Sequence, residues 1–130
     1  MSKHVINPPG MPAPSGYSYA VKKPGTPVFI AGQVALDASG KLVGPGDPAA
    51  QAEQVMKNLK TVVEACGGTM ADLVKTNVYV TDASYRSAVV EARKRWFTDG
   101  APPASTYVVI TALAVPELLI EIEAVAMIDR

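Results

Sequence analysis

The chain has 130 residues, enough for one compact domain and no more. It is 48% hydrophobic and 18% charged, and its twelve basic residues cancel its twelve acidic ones. A real core is therefore expected, assembly is favoured over a lone monomer, and no basic run marks a nucleic-acid surface; with one histidine (His4) and one cysteine (Cys66), a histidine-built metal or general-base centre and an internal disulfide are excluded.

The first fourteen residues are proline-rich and read as an extended arm, with a short optional strand at His4-Val5-Ile6. No apolar stretch follows a basic start and no later run approaches membrane length, so a cytoplasmic protein is expected. Tyr17 to Lys22 reads as a strand ended by the turn Lys23-Pro24-Gly25, and Pro27 to Val34 as the next, together a hairpin. Gly32 inside that strand points to a bulge or to the close approach of another group. After a turn at Asp37-Ala38-Ser39-Gly40, Asp47-Pro48 supplies an N-cap and a first-turn proline. Ala52, Val55, Met56, Leu59, Val62, Val63 and Cys66 then recur at helical spacing until Gly67-Gly68, with Cys66 expected as a small buried hydrophobe.

Val74 to Val80 is a β-branched strand. Asp82 or Ser84 caps a second helix whose apolar stripe is Tyr85, Ala88, Val89, Ala92 and Trp96, leaving Arg86, Arg93, Lys94 and Arg95 on a solvated face. Ser105 to Ile110 and Leu118 to Ile128 complete the order β-β-α-β-α-β-β. The fold class is α+β, one domain over residues 1–130, with two helices packed on one face of a sheet. A free sheet face and free edges again predict assembly.

The last strand carries two carboxylates in an otherwise apolar run. Alternation puts Glu121 and Glu123 on one face and Ile120, Ile122, Ala124 and Ala126 on the other. A carboxylate there needs a donor, a cation or a cleft, because unpaired burial is costly. One of the pair is thus a candidate for chemistry, with a solvated groove or subunit seam as the plainer alternative. Glu123 is read as structural.

Five blocks carry a family likeness. They are Gly16-Tyr17-Ser18-Tyr19-Ala20-Val21, Val28-Phe29-Ile30-Ala31-Gly32-Gln33-Val34, Gln51 with Asn58-Leu59-Lys60, Val74-Lys75-Thr76, and Ile120-Glu121-Ile122-Glu123-Ala124-Val125-Ala126. In that order and spacing the chain resembles the RidA/YjgF family of reactive-intermediate (enamine/imine) deaminases over nearly its whole length. The resemblance implies a chorismate-mutase-like fold and a homotrimer with a central barrel and small-molecule clefts at its subunit interfaces. It also implies hydrolysis of enamines and imines to 2-keto acids and ammonia, with no metal or other cofactor. By the same resemblance Glu121 holds and polarises the attacking water, Tyr17 is the cleft tyrosine, the backbone of Ala31 and Gly32 contacts the ligand, and Ala104, Ser105 and Thr106 form the ligand-binding start of the fifth strand.

One piece of the pattern is missing. Family members with this chemistry carry an arginine, in a Pro-Ala-Arg-Ser-type motif, that forks onto the substrate carboxylate. Here the stretch is Pro102-Pro103-Ala104-Ser105-Thr106, with Ala104 in the arginine's place. The longer spacing to Glu121 allows a slip of a residue, yet no arginine lies between Arg95 and Arg130. Arg93 or Arg95 is the nearest substitute. The expected function is a divergent hydrolase or deaminase acting on an imine, enamine or related metabolite other than the standard 2-imino acids. The alternative is a trimer that binds a small metabolite without turning it over. RNA cleavage, attached to some relatives, is disfavoured by the lack of a basic surface and of a second histidine, and neither nucleic acid nor membrane is an expected partner.

Overall fold

The computed structural model describes residues 3–129. Two short strands, β1 (His4–Ile6) and β2 (Ala20–Lys22), precede β3 (Thr26–Gln33), α1 (Pro48–Ala65), β4 (Leu73–Val80), α2 (Arg86–Trp96), β5 (Ala104–Val109) and β6 (Ile120–Ile128). The optional first strand forms; the first two residues of the arm lie outside the described residues.

The main sheet is mixed, in the order β3-β6-β4-β5. β6 runs antiparallel to both its neighbours, while β4 and β5 are parallel and joined through α2. Both helices cover one face, so the expected α+β architecture holds. Along β6, Ile120, Ile122, Ala124, Ala126 and Ile128 are buried under the helices. Val78 and Val80 of β4 and Val55, Met56, Leu59 and Val63 of α1 complete that core. A two-residue periodicity on the strands thus meets a three-four periodicity on the helix across one apolar layer.

Asp47 caps α1 as its sequence requires. Its backbone is extended (φ −118°), its carboxylate accepts from Ala50 N at 3.1 Å, and Pro48 fills the first turn. Such a cap is worth about 0.5–2 kcal/mol. Gln51, fully buried, donates to the carbonyls of Gly44 (3.1 Å) and Glu117 (3.0 Å) and accepts from Leu119 N (2.9 Å), tying α1 to the approach to β6.

Four sequence expectations are corrected. The β2–β3 hairpin does not form: β2 pairs with β1, and β3 pairs with β6 from Thr26 opposite Ile128. The intervening turn is clamped instead. Gly25 (φ +136°) presses so close to β6 that a Cβ on it would stand 2.7 Å from the Ile128 carbonyl carbon. Beside it, Lys23 is buried in an ion pair with Asp72 (3.1 Å) and donates to Met127 O (2.8 Å). Cys66 is exposed, because α1 ends at Ala65 and the cap residue has left the helical stripe. Arg93 is buried rather than on a solvated face, since the face of β5 bearing Ser105 packs against it. Asp82 caps a short 3-10 turn (Ala83–Tyr85), accepting from Ser84 N at 2.8 Å, whereas α2 itself begins without a side-chain cap.

The other face of the sheet is uncovered. Alternation along the register puts Phe29, Glu121, Glu123, Val125, Tyr79, Asn77, Ala104, Thr106 and Val108 there. Phe29 is 79% exposed. No helix among the described residues is long and apolar enough to cross a membrane.

Candidate functional site

The two acids of β6 share a face but not a role. Glu123 accepts from Asn77 Nδ2 at 3.3 Å and takes a short hydrogen bond from the Tyr79 hydroxyl, so β4 holds it in place. That bond, more than burial, pushes the Tyr79 phenol above its ordinary pKa. Glu121 accepts no side-chain hydrogen bond among the described residues and lies along the backbone of Gly32. A Cβ at position 32 would overlap the Glu121 carboxylate, standing 2.7 Å from its Cδ. The β3–β6 register also shifts between Ile30 and Gln33, so Gly32 marks both a bulge and a close approach. Ala31, its neighbour, is exposed. On the open face Glu121 borders a cavity of about 320 Å³ lined also by Tyr79, Ile110 and Leu113.

Tyr17 lies elsewhere. Its segment is pinned to the start of β5, where Ser18 N donates to Pro103 O at 3.1 Å and Ser18 bridges Ala104. Tyr17 there lines a cleft of about 240 Å³ together with Arg86, Arg93, Ser105 and Tyr107. Ser105 and Tyr107 point to the helix side of β5, while Ala104 and Thr106 point to the open face, where Thr106 accepts from Lys75 Nζ at 2.8 Å. The residues expected to form one site therefore fall into two groups within a protomer. Tyr17 and Ser105 share one cleft; Gly32 and Glu121 form another; Ala104 and Thr106 join neither.

The cleft's cation comes from α2. Arg93 is 5% exposed and donates from Nη1 to Ser105 Oγ at 3.0 Å, and Ser105 accepts a second bond from Thr76. Arg93 Nε and the Tyr107 hydroxyl are buried without a hydrogen-bond partner among the described residues. Burial first, and then the Arg86 charge, hold the Arg93 guanidinium below its ordinary pKa. Burial raises the Tyr107 phenol despite both arginines. Arg86 stands over the Tyr107 ring, 6.0 Å from its centroid.

Arg95 is engaged away from this cleft. It meets both carboxylate oxygens of Glu53 on α1, at 3.2 Å through Nε and 3.1 Å through Nη2, and Trp96 Nε1 also donates to Glu53 at 2.8 Å. Arg93 and Arg95 looked equivalent in sequence, and the helix turn separates them. Tyr107 carried no signal in sequence beyond its strand; Arg86 and Arg93 share a signal, a spacing of seven residues on one helix. Among the described residues, no group of three or more His, Cys, Asp and Glu side chains converges as a metal site would require.

The family model described as Endoribonuclease L-PSP matches residues 10–128. The chain is similar to a structure from Yersinia pestis, YyfB, a protein of unknown function of the conserved Rid family, at 42% identity and TM-score 0.91, over 98% of this chain and 100% of that one. It is similar to RidA from an Antarctic Psychrobacter at 36% identity and TM-score 0.73, covering 96% and 99% of the two chains. A member of the YjgF family from Mycobacterium tuberculosis matches at 33% identity and TM-score 0.70, covering 98% and 100%.

Proposed function

We propose a function from one premise: the chain belongs to the RidA/YjgF/L-PSP family. It is a hydrolase for a small imine or enamine, working in clefts completed between neighbouring subunits of a homotrimer. The Tyr17–Arg93–Ser105 cleft of one protomer binds the substrate, and the Gly32–Glu121 element of the next delivers water. The separation of the two groups within one protomer supports this arrangement, as does the exposed sheet face around Phe29.

The chemistry asks little of the protein. Glu121 accepts a proton from water as its oxygen bonds to the C=N carbon, and the C=N π pair moves to nitrogen and is protonated. Collapse of the carbinolamine then releases ammonia and leaves a carbonyl. An enamine first takes a proton at carbon. Each step needs a positioned water and one acid/base group, without metal or cofactor. The observation that carries the reading is Glu121 itself, a carboxylate laid against glycine backbone while its neighbour Glu123 is tied down.

Short 2-imino monocarboxylates are expected to be poor substrates, because the start of β5 carries no cation of its own and a single carboxylate leaves one of the two cleft arginines, Arg86 and Arg93, unmatched. RNA cleavage is not favoured, since acidic and basic residues balance and the one histidine, His4, lies on β1. The test is a coupled assay in which an amino-acid oxidase generates an imine and semicarbazide traps it. Hydrolysis of some imine that outruns trapping, and that is lost in Glu121→Ala, supports the reading. Activity unchanged in Glu121→Ala, or none with any imine, leaves a metabolite-binding trimer as the better description.

A further inference from the structure

We propose that the cleft between α2 and β5 is an anion subsite for a substrate carrying two acid groups, one held by Arg93 and the other by Arg86 at the mouth. The inference rests on the reading above and names its substrate class, imines and enamines of short dicarboxylic acids.

Arg93 is buried, and no carboxylate among the described residues pairs with it. Such a charge is expensive to bury unless an anion meets it. Ser105 occupies Nη1, while Arg93 Nε and the Tyr107 hydroxyl, both buried beside the cleft, have no partner among the described residues and are the donors that an entering carboxylate would take. A small serine on β5 leaves room for an arginine arriving from the helix. The guanidinium that the strand lacks is supplied from α2.

Arg86 supplies the second charge. It precedes Arg93 by seven residues, two turns of α2, so both face the same cleft across Tyr107. Two like charges there repel, as the effect of Arg86 on Arg93 indicates. One carboxylate offsets one guanidinium, and a ligand with two acid groups offsets both. The cleft, at about 240 Å³, is below the usual range for drug-sized ligands and suits a short metabolite.

The experiment is calorimetric titration of the intact protein with 2-oxobutyrate and 2-oxoglutarate, stable keto analogues with one and two carboxylates. The dicarboxylate is expected to bind about tenfold tighter or more, as a further charge-assisted contact implies. Arg86→Gln should bring the two affinities together while sparing 2-oxobutyrate, and Arg93→Gln should weaken both. Arg86 is exposed, so its variant keeps the test sound if Arg93→Gln fails to fold. Equal affinities in the wild type, or a preference that survives Arg86→Gln, overturn the proposal. So does failure of both ligands to bind, the result expected if a neighbouring subunit's acid fills the cleft. Glu121-dependent imine hydrolysis alongside such a failure would leave the catalytic reading standing. Dicarboxylate binding with no hydrolysis would leave the subsite standing and remove the enzyme.

Discussion

The carboxylate of Glu121 occupies space that a side chain at position 32 would need, so Gly32 and Glu121 define each other's place. What yields when that space is contested is the far end of a flexible side chain, with little backbone strain. Gly32→Ala should therefore fold normally and displace Glu121. The expected result is a melting temperature near that of the wild type with imine hydrolysis reduced on the order of 10²-fold, the scale of a misplaced catalytic group. Glu121→Ala should lose about 10²–10⁴-fold. A Gly32→Ala protein with full activity would show that the contact does not position the acid.

Gly25 sets the opposite case, because there the clash is with backbone. Its φ is +136° and the Ile128 main chain lies within 2.9 Å of the missing Cβ. Gly25→Ala should destabilise by about 1–3 kcal/mol from conformational strain, with the steric overlap added. Urea denaturation would read this as a lower midpoint at unchanged slope.

Lys23 and Asp72 form a buried pair, with side chains 6% and 5% exposed. Breaking a buried pair by removing one partner costs about 3–5 kcal/mol. Lys23→Ala should fall in that range, while Lys60→Ala, in an exposed pair with Glu64 at 3.5 Å, should change stability by about 1 kcal/mol or less. The same denaturation series compares the two.

The Glu53–Arg95 pair gives a pH signature. The bonds from Arg95, joined by that from Trp96, hold the Glu53 carboxyl below its ordinary value of 4.5. A lowered folded pKa contributes stability that is present above the unfolded value and is lost as pH falls through the folded one. The wild type should exceed Glu53→Gln by about 0.2–1 kcal/mol near neutrality, given the exposure of the pair. That margin should close below pH 4.5. A margin constant to pH 3 would assign it to something other than ionisation.

Much of the fold was legible because periodicity and capping are local. Asp47-Pro48, the stripe from Ala52 to Val63 and the alternation along β6 each report on their own neighbours. What failed depended on partners distant in sequence. Lys23 reads as a turn residue until Asp72 and Met127 are beside it, and that clamp turns the expected hairpin into two separate pairings. The site was legible in part. Glu121 and Gly32 were both singled out, but nothing along the chain says that they touch. Arg93 was grouped with its solvated neighbours because a helix face is indifferent to what packs over it, and Ser105 and Tyr107 become its roof only once β5 is in place. Ala104 shows the same limit, since strand alternation turns it away from the cleft and Ser105 toward it. An arginine introduced at 105, rather than at 104, would enter the Tyr17 cleft.

Pro27 has no amide hydrogen to give, and it sits in β3, a strand with a neighbour on one side only. Unpaired strand borders are templates on which copies can stack without limit. Proline interrupts that template near the start of β3, and the Ser18 bridge to Ala104 covers the beginning of β5. What remains adhesive is the patch around Phe29, a surface of fixed extent that is used up once covered. In the proposed trimer, association through it ends at a closed ring, and fibrous growth is starved of its template.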